Sequence, residues 1–253
     1  LVDIERRTGR TVRLGFEPEP WTTCERTDEF IEYYENVLLP EARRKLEVER
    51  GMTASQAEDA CRRLLGINLD LCHLACQFED PVRAVDKITA AGIRLMSLHV
   101  SSALEVPKPA TNAEGMRLLR SFDEPRYLHQ VAAADAGRNI ILRLKDLPDL
   151  FATPMPDLSA AESLRSHFHV PIFAAGNNAL RTTRNEMEMA VRHILDKKLT
   201  DTVVIETYTW NVANRLDREG RGIFGCGKEC DIEAGIVEEF RWFMNSFRTV
   251  RVR

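Results

Sequence analysis

Four short apolar runs in this chain each end in a side chain that can bind a metal ion or carry a proton: LGFE at Glu17, INLD at Asp70, LMSLH at His99 and VVIE at Glu206. Where parallel strands alternate with helices, the carboxyl ends of the strands share one face, and reactive side chains collect there. Three carboxylates and one imidazole make a largely hard ligand set, suited to Mn²⁺ or Mg²⁺ and able to hold Zn²⁺. Taken singly, each acid would read as a helix cap or a surface charge. Recurrence at four run ends points instead to a metal enzyme.

The elements that would position these groups alternate in type. Val12 to Glu17 has the period-two pattern of a strand. Thr27 and Asp28 can cap a helix carrying Phe30, Ile31, Tyr34 and Leu38, and Thr53 with Gln56 forms a capping-box pattern before a helix from Ala57 to Leu65. Strands follow at 66–70 and 93–99, separated by a helix that starts at Asp80 and Pro81 and stops at Gly92. A helix over 183–198 feeds a strand at 202–206, and a final helix spans 232–247. This order is the one that a parallel α/β fold requires. Gly15, Asn68, Ser97 and Val204 fall one layer deeper on the same strand faces, and three of the four are small or polar, which leaves room beneath an ion. Between residues 104 and 166 the rhythm breaks into Pro-bearing loops, a hairpin around Asp135 to Arg138 and a short helix near Ala160, and the segment reads as an insertion or lid.

The 253 residues, 44% of them hydrophobic, suffice for a single domain over 1–253 with a sizeable core. The formal charge of -4 and the absence of a dense Lys/Arg run argue against nucleic acid as a partner. No stretch is long and apolar enough to span a bilayer and no signal peptide is recognisable, so the expectation is a cytoplasmic protein. Six cysteines fit reduced thiols; Cys72/Cys76 and Cys226/Cys230 share a spacing that would also suit a structural zinc. The chain starts at Leu1, close to a strand, which reads as an excised beginning.

The segment GINLDLCHLACQFEDPVRAVDKITAAGIRLMSLHVSS (66–102) resembles the passage in xylose isomerase-like sugar isomerases and epimerases where one strand ends in Asp-x-x-His and the next in a ligand histidine. Glu17 with Pro18 is similar to their Glu-Pro strand end, Glu206 to the glutamate closing their last strand, and His169-Val170-Pro171 to their Val-Pro loop. The closer resemblance is to the EboE-type metabolite traffic proteins of that superfamily, through EPEP (17–20), SSAL (101–104), RYLHQ (126–130), HFHVPIF (167–173) and ETYTW (206–210). It implies a TIM (β/α)8 barrel of which this chain matches the last four βα units plus the insertion. Half a barrel leaves two open strand edges, so either a missing N-terminal half-barrel or a homo-oligomer would have to close the sheet.

The resemblance further implies Glu17, Asp70, His99 and Glu206 as ligands of a divalent metal, with His73 contacting a substrate oxygen. Glu17 and Glu206 on opposite sides of a bound hydroxy ketone would then alternate as base and acid, and the partner would be a small metabolite. His73 alone would equally serve a helix end. His167 and His169 share one face if HFHVPIF is extended, suiting an anionic group, a second ion or a hydrogen-bonded structural pair. Tyr208 and Trp210 offer surface for stacking on a metabolite or for sealing the rim. His129, Arg126 and Tyr127 fall in the insertion as a lid or a packed hairpin, Arg181 and Arg184 sit where they would meet a phosphate, and His193 lies on a charged helix face. Three functions follow: an isomerase or epimerase, a metal-assisted hydrolase, or a non-catalytic metabolite-binding or traffic protein.

Overall fold

A computed structural model describes residues 1–218, 224 and 232–247. In chain order it contains α1 (Val2–Thr8), β1 (Leu14–Phe16), α2 (Thr27–Tyr33), α3 (Leu39–Arg50), α4 (Ala54–Leu64), β2 (Leu65–Asp70), α5 (Leu71–Cys76), α6 (Pro81–Ala90), β3 (Arg94–Val100), β4 (Leu104–Pro107) and α7 (Ala113–Arg120). There follow β5 (Val131–Ala134), β6 (Ile140–Leu144), α8 (Leu147–Leu150), β7 (Ser163–Ser166), β8 (Arg181–Thr182), α9 (Arg184–Lys197), β9 (Val203–Ile205), α10 (Trp210–Arg218) and α11 (Ile232–Ser246).

The first sheet is parallel, in the order β1-β2-β3-β9. Helices cover one of its faces, and Phe30, Ile67, Leu69, Val85, Ile88, Leu95, Leu98 and Val191 form the core between. Burial of this kind is why β2 and β3 read as apolar runs. Local signals hold the helices in register. Thr53 accepts the Gln56 N–H at 3.3 Å while the Gln56 side chain accepts the Thr53 N–H at 3.0 Å. Asp80 accepts the N–H groups of Val82 and Arg83, both at 3.0 Å, ahead of Pro81 in the first turn of α6. A π-helical turn, Tyr34–Leu38, joins α2 to α3 immediately before Pro40, which has no N–H to give to the turn behind it.

The second sheet is antiparallel, in the order β6-β5-β7-β4-β8. Its core is Leu104, Val106, Leu119, Phe122, Leu164 and Phe168. The predicted hairpin is the β5–β6 connection, where the Asp135 carboxylate accepts the Gly137 and Asn139 N–H groups at 2.8 and 2.9 Å. The short helix expected near Ala160 is a single turn instead, closed by the Ala161 N–H on the Leu158 carbonyl at 3.0 Å, with Asp157 taking the Ser159 N–H at 2.9 Å. A short helix forms earlier, at α8, behind Asp146 as its cap. The sheet also draws on β8, which lies past residue 166.

Among the described residues no helix is long and apolar enough to cross a membrane. Cys226 and Cys230 lie outside the described residues. Cys24, Cys61, Cys72 and Cys76 are free thiols.

Candidate metal centre at the strand ends

The parallel register carries the four sequence-predicted ligands to one place. Asp70 pairs with His99 across β2 and β3, and His99 pairs with Val204 across β3 and β9. Glu17 follows β1 and Glu206 follows β9, so the two glutamates arrive from the two edge strands with Asp70 and His99 between them. Ligand atoms of Glu17, Asp70, His99 and Glu206 all lie within 4.8 Å of one another. His99 Nδ1 is 2.6 Å from Glu206 and 3.4 Å from Glu17. The 2.6 Å contact is not aligned as a hydrogen bond, and both atoms are buried without another partner. Buried polar atoms in that condition are costly unless a cation or proton lies between them.

The layer beneath is as narrow as its residue types require. The Ser97 hydroxyl donates to Asn68 Oδ1, and a Cβ on Gly15 would run into the Asn68 side chain. Glycine is needed there for space.

Asp70 serves twice. As the N-cap of α5 it accepts the His73 N–H at 2.9 Å, and Ser101 Oγ donates to the same carboxylate, 2.9 Å from each oxygen. Ser101 in turn accepts the Cys72 N–H at 2.8 Å. Strand end, helix start and the following strand are therefore pinned at one carboxyl group.

A second cluster adjoins the first. His73 Nε2 is 3.1 Å from His167 Nε2, which is 2.9 Å from His169 Nε2. Asp70, His73 and His169 form one group able to hold an ion; Glu19, His73 and His167 form another, and Cys72, His167 and His169 a third. All three imidazoles are buried. Behind them, His73 Nδ1 meets the Pro18 carbonyl at 3.0 Å and His167 Nδ1 meets Gln130 Oε1 at 2.6 Å.

Electrostatics follow the same division. The carboxylates of Glu17 and then Glu206 raise His99 to about 10, against the opposing effect of burial. His99 lowers Glu206 in return. Burial pushes Asp70 upward, yet His73, His169, the His73 N–H and Ser101 together outweigh it and leave the carboxyl below its usual range. Burial lowers His167 well below the ordinary histidine value, with His73 and His169 adding to the effect, and lowers His169 despite the nearby Asp70.

The remaining predicted residues divide. Tyr208 joins the site's wall: its ring centroid is 5.0 Å from His169 and 4.8 Å from Tyr127, and its hydroxyl donates to the His167 carbonyl at 3.0 Å. Burial holds its phenol well above the usual value. Trp210 is not brought to the cluster; it is 2% exposed, packed against Gly235 and 6.2 Å from the Phe173 ring. His129 is fully buried and stacked on Phe168 at 4.1 Å. Arg184 donates to the Phe173 carbonyl at 2.7 Å, Arg181 lies in β8, and His193 pairs with Asp86 at 2.8 Å on the outer face of α9. Sequence reasoning assigned no role to Gln130, Ser101 or Glu19, and considered Cys72 only for a structural zinc through its spacing from Cys76. Ser101 and Gln130 do stand in the motifs SSAL and RYLHQ, but only the fold shows what they touch.

Comparison with known protein families, curated proteins and solved structures finds no match.

The donor set fits a divalent ion. It offers three carboxylates and an imidazole at one point, with a misaligned, otherwise unpartnered pair of buried atoms among them. A histidine-rich group at the next point is better matched to Zn²⁺ than to Mg²⁺.

Proposed function

We propose that this protein is a divalent-metal-dependent isomerase or epimerase acting on a small polyhydroxy or keto metabolite by proton transfer at carbon. The observation that carries the reading is the convergence of Glu17, Asp70, His99 and Glu206 within 4.8 Å at the carboxyl ends of four adjacent parallel strands. A bound Mn²⁺, Mg²⁺ or Zn²⁺ ion there would supply Lewis acidity to an adjacent carbon acid. Glu17 and Glu206 reach the site from opposite edges of the sheet, so one can accept a proton while the other returns one. Tyr208 walls the site beside His169, while His73, expected to contact a substrate oxygen, has both ring nitrogens turned to protein groups, the Pro18 carbonyl and His167 Nε2. The four-stranded parallel sheet is also what half of a (β/α)8 barrel would contribute, with a second copy or a further half closing its edges.

The test is deuterium wash-in from D₂O with ketopentoses and ketohexoses. Wild type should exchange a carbon-bound hydrogen, and Glu17→Gln and Glu206→Gln should each slow exchange by about 10²-fold or more. Turnover left intact in both variants would defeat the proton-transfer mechanism.

The histidine cluster favours one other reading, metal-assisted hydrolysis, because two adjacent ion positions can hold both a nucleophilic and a leaving oxygen. Incorporation of ¹⁸O from labelled water without carbon exchange would select it. Tight metabolite binding with neither isotope signature would select the metabolite-binding or traffic role.

A further inference from the structure

Histidine tautomers inside this cluster are dictated by groups that lie outside it. The Pro18 carbonyl can only accept, so the His73 nitrogen facing it at 3.0 Å, Nδ1, carries the proton. Gln130 orders the other side. Its amide Nε2 donates to the Pro20 carbonyl at 3.2 Å, which turns Oε1 toward His167 Nδ1 at 2.6 Å. The opposite amide orientation would set two oxygens against each other at Pro20. His167 therefore also carries its proton on Nδ1. Its backbone is held by the same residue, since the His167 N–H donates to the Gln130 carbonyl at 2.8 Å.

Both Nε2 atoms are then bare, and they face one another at 3.1 Å. His169 cannot relieve the conflict in either of its neutral forms. Protonated on Nδ1, it adds a third lone pair 2.9 Å from His167 Nε2. Protonated on Nε2, it donates to His167 Nε2 but leaves the His73 Nε2 lone pair facing that same atom at 3.1 Å, and its own Nδ1 has no hydrogen-bond partner, with Asp70 at 4.0 Å and Glu206 at 3.9 Å. A divalent cation between the rings would meet both bare Nε2 atoms at once, and Glu19, His73 and His167 already offer ligand atoms within 4.8 Å of one another.

We propose that Gln130 is a positioning residue: anchored on the Pro20 carbonyl, it fixes the Nδ1–H tautomer of His167 and so presents a bare Nε2, paired with that of His73, to a borderline-soft divalent cation such as Zn²⁺. The inference rests on the metal reading above for its ligand but not for its test. It gives the EPEP segment a use beyond Glu17, since the carbonyls of Pro18 and Pro20 are the outer ends of the two proton-orienting contacts. It also gives the insertion a share in the site, because Gln130 immediately precedes β5. Partners of this kind fix ring orientation and ligand basicity, and losing one typically weakens metal binding 10- to 100-fold.

The experiment is ¹⁵N NMR of histidine-labelled, metal-free protein at a pH where these rings are neutral, followed by titration with Zn²⁺ alone. Wild type should show His73 and His167 protonated on Nδ1, with their Nε2 signals moving on addition of Zn²⁺. Gln130→Leu should release His167 to the Nε2–H form or a mixture and weaken the Zn²⁺ response about 10- to 100-fold. Gln130→Glu gives up the donor to Pro20 but keeps an acceptor for Nδ1–H, so His167 should stay protonated on Nδ1, which separates the orienting role from mere folding. An Nε2–H tautomer at His167 in wild type, or an unchanged tautomer and Zn²⁺ response in Gln130→Leu, would overturn the proposal. Zn²⁺ taken up at these rings with no exchange at carbon would defeat the functional reading alone, whereas no Zn²⁺ response at His73 and His167 in wild type would overturn this inference as well.

Discussion

The carboxylate of Asp70 accepts the backbone N–H of His73 at 2.9 Å, so the group that closes β2 also starts α5. One side chain thus links the position of a candidate metal ligand to the entry angle of the helix that carries His73. Substitutions at this residue can separate the two duties.

Asp70→Asn keeps an N-cap acceptor but removes the charge, whereas Asp70→Ala removes both. We expect Asp70→Asn combined with His99→Gln to abolish bound metal by elemental analysis of protein loaded with Mn²⁺ or Zn²⁺, where wild type is near-stoichiometric. Asp70→Ala should lose, in addition, about 1 kcal/mol of stability in urea unfolding from the missing cap. Equal metal content in wild type and the double variant would refute the assignment.

His99 is held protonated up to about pH 10 by Glu17 and Glu206 in the metal-free protein. Its folded pKa is above the unfolded value near 6.5. The resulting stabilisation is complete below about pH 6.5 and is lost as pH rises through about 10. Ion binding must displace this proton, so metal affinity should rise with pH over the same window. NMR titration of His99 reads the first effect directly, and Glu17→Gln or Glu206→Gln should each move its pKa downward.

His129, His167 and His169 shift the other way, chiefly through burial. Their neutral forms belong to the folded state, so as pH falls below about 6.5 the unfolded chain takes up protons that the folded chain refuses. Stability should drop on that acid limb. His129 stacks on Phe168 with its ring nitrogens 3.5 Å from Glu124 and 3.7 Å from Asp146. His129→Phe should preserve the stack and flatten part of the acid decline in a series of thermal melts, and an unaltered slope would remove His129 from the explanation.

Gly15→Ala tests the layer under the site. The added methyl would meet the Asn68 side chain and approach its backbone nitrogen to 3.1 Å. Overpacking of this kind costs about 1 to 3 kcal/mol, and the displaced β1 would carry Glu17 with it. Reduced stability together with weaker Mn²⁺ binding is the expected pair of results; reduced stability with unchanged binding would place Glu17 outside the ion's reach.

Much of the first sheet was legible because each of its strands is an apolar run ending in a reactive residue and two of the helices beside it have a strong start signal, Thr53 with Gln56 and Asp80 with Pro81, although α2 is capped at Arg26 rather than at Thr27 or Asp28. That Glu17, Asp70, His99 and Glu206 meet at one place was legible from period and position; their role as ligands was also what the resemblance implied. The second sheet was not legible in the same way. β5 is Val-Ala-Ala-Ala and β8 is two residues long, so neither carries alternation, and their pairing is set by partners distant in sequence. Trp210 shows the limit of motif reading: next to a site by sequence, it begins α10 and turns into the protein because Gly235 leaves room for its indole. Gln130 was invisible for the converse reason, since its function depends on reaching Pro20 and His167, and no local pattern records that reach.

The two glutamates of the cluster stand on the outermost strands of a four-stranded sheet, one near the start of the described chain and the other after β9. An ion gripped by both would act as a clasp across the full width of the sheet, closing a loop that spans most of the polypeptide. Such a clasp cannot fasten until β9 has docked beside β3, so full metal loading should report that the last strand is in place.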